Sequence, residues 1–394
     1  MSAGWWVPGR IEVLGKHTDY GGGRVLVCAV ERGVTAEAEP GGDGVRARTS
    51  VFPDDVVELH AGVHPALPPG HWGHYVQTVI DRLTSNFGPV VPASLTITAD
   101  LPPASGMSSS SALLSSVALT LADMSGFTES ELWRTHCDDR MALAGYLAAI
   151  ENGGRYGSLA GAAGVGTSGG SLDHTGMLAS TAGKVSYVQF DPTSKLGQVS
   201  LPDGWVFVVG VSGVLAEKTG AARELYNRGP ATLRSWLANW NERTGANASS
   251  VQQVLERVGP DVVLAHTAVG YERRRLTQFV RESGEFVPRA FDALERGDVE
   301  AFGALCVESQ ALAVIGLENE IPETKALIET ALRGGAAAAS SFGAGFGGSV
   351  WALVRAADAE AFADDWLERY HSEIGVCQGS MLITGAGAPG HRID

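Results

Sequence analysis

A short apolar strand pattern that runs directly into a turn crowded with polar residues is the feature that most constrains this chain. The segment occupies residues 9–22 and reads GRIEVLGKHTDYGG. After the apolar positions, a cation, an imidazole and a carboxylate follow within four residues, namely Lys16, His17 and Asp19. Glycines at 21–23 let the backbone turn tightly. This concentration of polar groups suits a small polyhydroxylated ligand. An ordinary strand with a polar turn would explain the segment alone, but two further segments favour a binding site.

The second segment is a polar, glycine-containing loop that leads into a helix, within residues 101–121. Leu113, Val117 and Leu121 recur every four residues, which predicts one buried helical face. Four consecutive serines therefore fall on the first turn, where backbone N–H groups lack intrahelical partners; they are Ser108, Ser109, Ser110 and Ser111. Such N–H groups and the positive end of the helix dipole attract anions. Together with Gly106, the loop predicts a phosphate site, since helix capping would explain one serine but not four.

The third segment, residues 336–354, is rich in glycine and predicts a close approach of two backbones before a strand at 349–354. Its glycines match the spacing of a dinucleotide fingerprint, but they precede a strand instead of linking a strand to a helix. That order excludes a Rossmann site. A Walker loop is also excluded, because Glu217 stands where a glycine would precede Lys218 and Thr219.

Together, the three segments resemble the three motifs of the GHMP kinase superfamily, named for galactokinase, homoserine kinase, mevalonate kinase and phosphomevalonate kinase. Galactokinases are the most similar group, because PGR at residues 8–10 opens the first motif and HTDY at 17–20 closes it. Further similarity at 72–80, 212–227 and 322–323 extends the resemblance over nearly the whole chain. It implies an α+β fold of two domains that bind ATP and a sugar at their interface.

We expect an N-terminal domain over residues 1–195, which carries the sugar motif and the serine loop, and a C-terminal domain over 196–394, which carries the glycine-rich motif. Turn residues at 191–195 and 202–204 separate two strand-like runs, at 185–190 and 205–211. Helical patterns dominate 112–124, 251–284 and 357–370. A length of 394 residues suits two or three domains.

Composition restricts the partners. A formal net charge of −15 argues against a nucleic-acid or anionic-membrane surface and requires local cations and amides to attract ATP. The scattered cysteines, Cys28, Cys137, Cys306 and Cys377, lack metal-ligand spacing and predict free thiols in a reducing compartment. Because neither a leader pattern nor an 18-residue apolar run is visible, we expect a soluble cytoplasmic protein.

The resemblance also implies the catalytic residues. Asp173 would accept or orient the proton of the attacking sugar hydroxyl, and Arg10 would lie beside it, keep it ionised and stabilise the transferring phosphoryl group. Gly170 would line the sugar pocket. Without the resemblance, an aspartate that follows glycines reads equally as a turn residue or a helix cap.

For magnesium, the resemblance indicates Ser110, with Glu151 as the acidic partner, since Mg²⁺ prefers oxygen ligands and retains waters. Glu151 lies 22 positions before Asp173, farther than in galactokinases, so the glycine-rich residues 153–166 would have to loop out. The alternative is a plain surface glutamate.

His17 and Asp19 would bind sugar hydroxyls, and Tyr226 would close the pocket from the second domain, although it could equally be a core aromatic residue. Trp72 would lie near the adenine. Ala104 replaces the first glycine of the family's second motif.

Lys16 stands where galactokinases carry a glutamate that reaches the C6 hydroxyl of the sugar. Three hypotheses remain open for its ammonium, which can only donate hydrogen bonds. It could contact a C6 hydroxyl oxygen, pair with the C6 carboxylate of a uronic acid, or point to an internal carboxylate.

The combined prediction is a kinase that uses ATP and Mg²⁺ to phosphorylate the C1 hydroxyl of a monosaccharide, with galactose as the first candidate. A C1 kinase for galacturonate or arabinose and a non-catalytic sugar and ATP sensor are the alternatives. A mevalonate or homoserine kinase is disfavoured, because HTDY would then lack a purpose. The expected partners are the sugar and ATP, without nucleic acid or membrane.

Overall fold

The computed structural model describes residues 2–102, 105–166, 169–214, 221–375 and 378–393, with the backbone alone at 221–223. Ala104, Cys377 and the rejected Walker-like lysine, Lys218, lie outside the described residues.

The described residues form two mainly antiparallel sheets. In chain order, the strands are β1 Ala3–Leu14, β2 Arg24–Pro40, β3 Val45–Thr49, β4 Val56–Leu59, β5 Ala93–Ala99, β6 Lys184–Gln189, β7 Ser194–Ser200, β8 Trp205–Val211, β9 Ala338–Phe342, β10 Ser349–Arg355, β11 Ser380–Thr384 and β12 His391–Arg392.

Helices cover both sheets. They are α1 Gly73–Phe87, α2 Ser109–Met124, α3 Glu131–His136, α4 Arg140–Asn152, α5 Leu172–Leu178, α6 Ala221–Thr244, α7 Val251–Val258, α8 Pro260–Ala265, α9 Tyr271–Arg281, α10 Val287–Glu295, α11 Val299–Gly316, α12 Pro322–Arg333 and α13 Ala359–Ile374. Short 3₁₀ turns lie at Asp19–Gly21, Phe127–Glu129 and Ala356–Asp358, and a π-helical turn, Glu282–Phe286, joins α9 to α10.

The first sheet has the order β12-β1-β2-β5-β3-β4, and β6 and β7 extend it from β2. β2 is long enough to pair with β6 along its first residues and with β5 along its last. Among the described pairs of this sheet, β3 with β5 is parallel and the others are antiparallel. Helix α2 packs on β1 and β2, where the Thr120 hydroxyl donates to the Ala36 carbonyl at 3.0 Å. The loop before α2 meets β1 at Arg10, whose N–H donates to the Met107 carbonyl at 3.1 Å.

The second sheet has the antiparallel order β11-β8-β10-β9. Helices α12 and α13 pack on one face and bury Leu327, Trp366 and Tyr370. Helix α11 packs against β9 and α9. It is long and apolar enough to cross a membrane by length and composition alone, and 44% of it is buried inside the protein.

The predicted strands at 185–190, 205–211 and 349–354 and the helix at 112–124 are confirmed within one to three residues by β6, β8, β10 and α2. The predicted helical pattern at 251–284 is confirmed, but Gly259 and Gly270, both at positive φ, divide it into α7, α8 and α9.

Candidate active site

A cavity lies between the end of β1, the turn that follows it, helix α5, helix α6 and the turn between β9 and β10. Its side-chain lining includes the polar residues Arg10, Glu12, His17, Asp19, Tyr20, Asp173 and Tyr226, and its backbone lining includes Gly169, Gly170 and Gly343. Four of the five predicted sugar-site residues and both predicted catalytic residues therefore meet in one place. The fifth, Lys16, does not line the cavity, whereas Glu12, which was not predicted, does.

Arg10 links Asp173 to the serine loop. Its Nε and Nη2 lie 2.9 and 2.6 Å from Oδ1 of Asp173, and its Nη1 donates to the Gly106 carbonyl at 2.5 Å. The Arg10 side chain is almost fully buried, whereas 24% of the Asp173 side chain is exposed to the cavity. A guanidinium that is fixed on both sides has little conformational freedom left to lose when a ligand binds.

Asp19 and Gly170 are in close contact. A Cβ atom on Gly170 would stand 2.2 Å from Oδ2 of Asp19, so the absence of a side chain at 170 is what admits this carboxylate. The Leu172 N–H donates to the same oxygen at 3.4 Å. Burial, followed by the nearby Asp173 carboxylate, raises the pKa of Asp19 to about 6.

His17 adopts a left-handed backbone conformation with φ of 57°. Its ring stacks edge-on against Tyr20 and Tyr226 at 6.0 Å between ring centroids, and Nδ2 of Asn319 lies 3.2 Å from its Nε2. Burial, aided by the Arg275 cation, lowers the pKa of His17 to about 3. The imidazole is therefore neutral at physiological pH and can serve a ligand as a hydrogen-bond partner.

The backbone of the turn at residues 15–17 is held by one helical face of the other half of the chain. Arg275 and Gln278 on α9 donate to the carbonyls of His17 and Lys16, respectively. Glu282 accepts from the N–H groups of Gly15 at 2.8 Å and Lys16 at 3.3 Å. All three side chains are fully buried.

Sequence reasoning missed Arg275, Gln278 and Glu282. The available signal was their spacing, because residues 275, 278 and 282 share one face of a helix that also buries Leu276 and Phe279. The π-helical turn that begins at Glu282 adds a residue to the helix at this point, as such turns often do at functional sites.

Lys16 points away from the cavity. Its Nζ donates to Gln310 and contacts the Ser341 hydroxyl at 3.4 Å, and only 3% of the residue is exposed. Burial lowers its pKa, while the nearby carboxylates of Glu320 and Glu282 act in the opposite direction. Of the three hypotheses, the internal carboxylate comes nearest to this geometry, but the direct partners of the ammonium are an amide and a hydroxyl.

The serine loop meets the glycine-rich motif through backbone contacts. A Cβ on Gly343 would lie 2.7 Å from the Gly106 carbonyl oxygen, and Ser349 donates to the Ser105 carbonyl at 2.5 Å. Helix α2 starts at Ser109, and Ser108 before it has a left-handed conformation without a side-chain cap. Among the described residues, the buried hydroxyls of Ser105 and Ser108 have no hydrogen-bond partner. The first turn of α2 thus keeps donors available for an anion.

Glu151 lies at the end of α4 and is buried against the serine helix. Ser111, not Ser110, donates to its Oε2 at 2.7 Å, and Nε2 of His174 lies 3.3 Å from the same oxygen. Ser110 is half-buried on the same turn. The Val165 N–H donates to the Glu151 carbonyl at 2.9 Å, so the glycine-rich segment after α4 loops out and returns.

Trp72 is buried at the start of α1, where its indole N–H donates to Asp55 at 2.7 Å and its ring stacks on His71. It does not line the cavity described above. Tyr226 on α6 does, and burial raises the pKa of its phenol.

Three family models match this chain in sequence order. The galactokinase galactose-binding signature covers residues 2–40, the GHMP kinases N terminal domain covers 74–157 and the GHMP kinases C terminal model covers 290–372. The first match contains the turn that carries His17 and Asp19, and the second contains the serine loop and Glu151.

Similar proteins match nearly the whole chain. The galactokinase of Streptomyces coelicolor is 28% identical over 91% of this chain and 86% of that protein, and the galactokinase of Thermococcus kodakarensis is 29% identical over 92% of each. The crystal structure of Lactococcus lactis galactokinase complexed with galactose superposes with a TM-score of 0.81 at 23% identity and covers 100% of this chain and 95% of that one. The predicted α+β fold is thereby confirmed. Since the sugar-binding signature and both domain models coincide with the cavity and loop described here, the chain is a galactokinase-like member of the GHMP kinase superfamily.

Proposed function

We propose that this protein transfers the γ-phosphoryl group of ATP to the C1 hydroxyl of a neutral monosaccharide, with galactose as the first candidate. The observation that carries the proposal is the position of Arg10, which contacts the cavity carboxylate Asp173 and the serine loop at Gly106 at the same time. One guanidinium can therefore stabilise charge that moves from the phosphate site toward the sugar. A non-catalytic sensor would not need this link.

A neutral sugar fits the cavity better than a uronic acid. Three carboxylates line it, those of Glu12, Asp19 and Asp173, against the single guanidinium of Arg10. The Lys16 ammonium, the cation that would pair with a C6 carboxylate, is directed instead at Gln310 and Ser341. A sugar carboxylate would meet like charges, whereas sugar hydroxyls can donate to each of the three carboxylates.

ATP and magnesium suit the serine loop. The unpartnered hydroxyls of Ser105 and Ser108 and the first-turn N–H groups of α2 can bind phosphate oxygens. Glu151, together with a hydroxyl from Ser110 or Ser111, provides the hard oxygen ligands that Mg²⁺ prefers, with phosphate oxygens and water as the remainder. When bound, magnesium would neutralise charge on the β- and γ-phosphates. The position of Trp72 near the adenine of ATP remains a prediction.

In the proposed reaction the C1 hydroxyl oxygen attacks the γ-phosphorus. A C1–O–P linkage forms as the bond between the γ-phosphorus and the β,γ-bridging oxygen breaks, and ADP leaves. Asp173 accepts or orients the hydroxyl proton, while Arg10 stabilises the three γ-oxygens. Asp19 and neutral His17 hold other sugar hydroxyls, and Tyr226 closes the cavity.

We also propose a division of the chain near residue 195. The change of sheet between β7 and β8 supports it, since β7 pairs with β6 in the first sheet and β8 begins the second. The cytoplasmic location remains a prediction.

A coupled ATPase screen with magnesium tests the proposal, with galactose, arabinose, galacturonate, glucuronate and N-acetylgalactosamine as acceptors. Phosphorus NMR of the product identifies the phosphorylated carbon. We expect turnover of galactose at C1 and none of the uronates. Saturable galactose binding without turnover would support the sensor alternative, and preferential uronate turnover would contradict the neutral-sugar proposal.

A further inference from the structure

Glu12 is a buried acid in a strand whose neighbours, Ile11, Val13 and Leu14, are fully buried hydrophobic residues. Only 3% of it is exposed, and it lines the same cavity as Arg10 and Asp173. Arg10 and Glu12 are two positions apart in β1, so the alternation of the strand directs both side chains to one face. A carboxylate in such a position costs folding free energy unless its oxygens are bonded, so its presence needs an explanation.

Both oxygens of this carboxylate accept backbone N–H groups, and the two donors belong to different parts of the site. His17, in the turn after β1, donates to Oε1 at 3.3 Å, and Gly343, in the turn between β9 and β10, donates to Oε2 at 3.1 Å. Glu12 therefore joins the sugar turn of the first sheet to the glycine-rich turn of the second. Each carboxylate oxygen has a further lone pair, which can accept a hydroxyl donor from the cavity.

We propose that Glu12 is a further sugar-binding residue, whose ionised carboxylate accepts a hydroxyl of the bound monosaccharide while it fixes the two turns on either side. This inference rests on the proposed function. It assigns to position 12 a substrate contact, and it also explains why the cavity keeps a third carboxylate although Lys16 faces elsewhere.

The electrostatic surroundings make the contact measurable. Burial raises the pKa of Glu12 to about 7, against the lowering effect of Arg10 and of the Gly343 N–H. The charged and titratable groups that face it, from its own strand, the following turn, the 3₁₀ turn and α5, are Arg10, His17, Asp19 and Asp173, and the Lys16 ammonium lies nearby but is directed at Gln310. Because the ionised form accepts the hydroxyl, protonation below pH 7 should weaken sugar binding, separately from the step that Asp19 contributes near pH 6.

The test compares the KM for galactose between pH 5.5 and 8.5 in the wild type, Glu12→Gln and a control, Glu58→Gln, which alters an exposed glutamate on β4. At pH 8 we expect KM to rise roughly 10-fold in Glu12→Gln, the loss expected for one hydrogen bond to a charged group, while kcat changes less. Its KM should lack the break near pH 7 that the wild type and Glu58→Gln show. If Glu12 had only a structural role, the break in KM near pH 7 would remain in Glu12→Gln.

An unchanged KM and an unchanged pH profile in Glu12→Gln would overturn the inference. If Glu12→Gln fails to fold, Glu12→Asp provides the test, because it retains the charge. Its KM should still show the break near pH 7, and a missing break would contradict the assignment of Glu12 to the sugar site. Failure of the proposed function is separable, because calorimetric binding of galactose gives the same comparison without turnover. A wild type that binds galactose with no dependence on pH near 7 would contradict the inference even if the enzyme is active.

Discussion

Oδ2 of Asp19 occupies the space that a side chain on Gly170 would fill, since a Cβ there would stand 2.2 Å away. The two residues belong to elements far apart in the chain, the turn after β1 and the loop before α5. Both residues line the cavity, and the Leu172 N–H that follows the loop also donates to the Asp19 carboxylate at 3.4 Å.

Gly170→Ala should therefore displace Asp19 and weaken sugar binding. We expect the KM for galactose to rise at least roughly 10-fold, the effect of one misplaced charged hydrogen bond, with little change in thermal stability. Gly41→Ala is the matched control, because a Cβ at Gly41 meets nothing within 4 Å. Steady-state kinetics and thermal melting of both variants make the comparison. Equal KM values in the two variants would show that Asp19 does not bind the sugar.

Asp173→Asn should abolish most turnover but preserve sugar binding. Loss of a positioned general base typically costs about 10²- to 10⁴-fold in rate, and the amide can still accept from Arg10. Single-turnover kinetics and calorimetric galactose binding measure the two effects separately. Asp203→Asn, at an exposed turn residue, provides the control. Full activity in Asp173→Asn would remove this residue from the mechanism.

Lys16→Met should affect stability more than sugar preference. The change removes the ammonium group that donates to Gln310 and contacts Ser341, and leaving a buried acceptor without its donor costs about 1–3 kcal/mol. Urea unfolding measures the loss, and Lys325→Met alters an exposed lysine for comparison. The ratio of kcat/KM for galactose to that for galacturonate should stay the same. A shift of this ratio toward either sugar would place Lys16 in the specificity site after all.

Ser111→Ala should weaken magnesium binding, because the Ser111 hydroxyl holds Oε2 of Glu151 at 2.7 Å. We expect a roughly 10-fold higher magnesium requirement, in the range that loss of a group supporting a metal ligand produces. Calorimetric binding of magnesium with a non-hydrolysable ATP analogue provides a readout independent of turnover. Ser115→Ala, one helical turn further along α2 and equally buried, is the control. If both serine variants behave alike, the hydrogen bond from Ser111 to Glu151 does not support the metal site.

Asp19→Asn should stabilise the protein chiefly above about pH 6. The pKa of Asp19 is about 6 in the folded protein, compared with 3.8 for an ordinary aspartate. Between these two pH values the folded state therefore binds more protons than the unfolded state. Stability from this group is present below pH 4, is lost as pH rises to about 6, and stays lost above it. The amide avoids that loss. Urea unfolding at pH 4.5 and pH 8 should show a gain over wild type at the higher pH, which Asp43→Asn, at an exposed position, should not reproduce.

Local patterns predicted the parts of the site that lie on one element. The polar turn after β1 and the serine-bearing start of α2 follow directly from hydrophobic periodicity and from the rules for helix ends. The pairing of Arg10 with Asp173 came from the family resemblance, because 163 residues separate them and periodicity carries no information about such contacts.

Contacts between distant elements decided the rest. The direction of the Lys16 side chain depends on its contact with Gln310, which is 294 residues away in the sequence. The sequence of the turn alone does not indicate whether this side chain enters the cavity or is buried outside it. In the sequence, Glu12 resembles an ordinary strand residue, because its contact with Gly343 exists only in the folded protein. The choice of Ser111 over Ser110 as the partner of Glu151 depends on the rotation of α2 about its axis, which a run of identical residues cannot reveal.

Arg275, Gln278 and Glu282 hold the turn at residues 15–17 by its N–H and C=O groups, which every residue type except proline provides. The path of the turn is consequently independent of which side chain stands at position 16. In a protein of this shape, the side chain at position 16 can be exchanged while the surrounding backbone keeps its course and the catalytic pair stays in register with the phosphate loop.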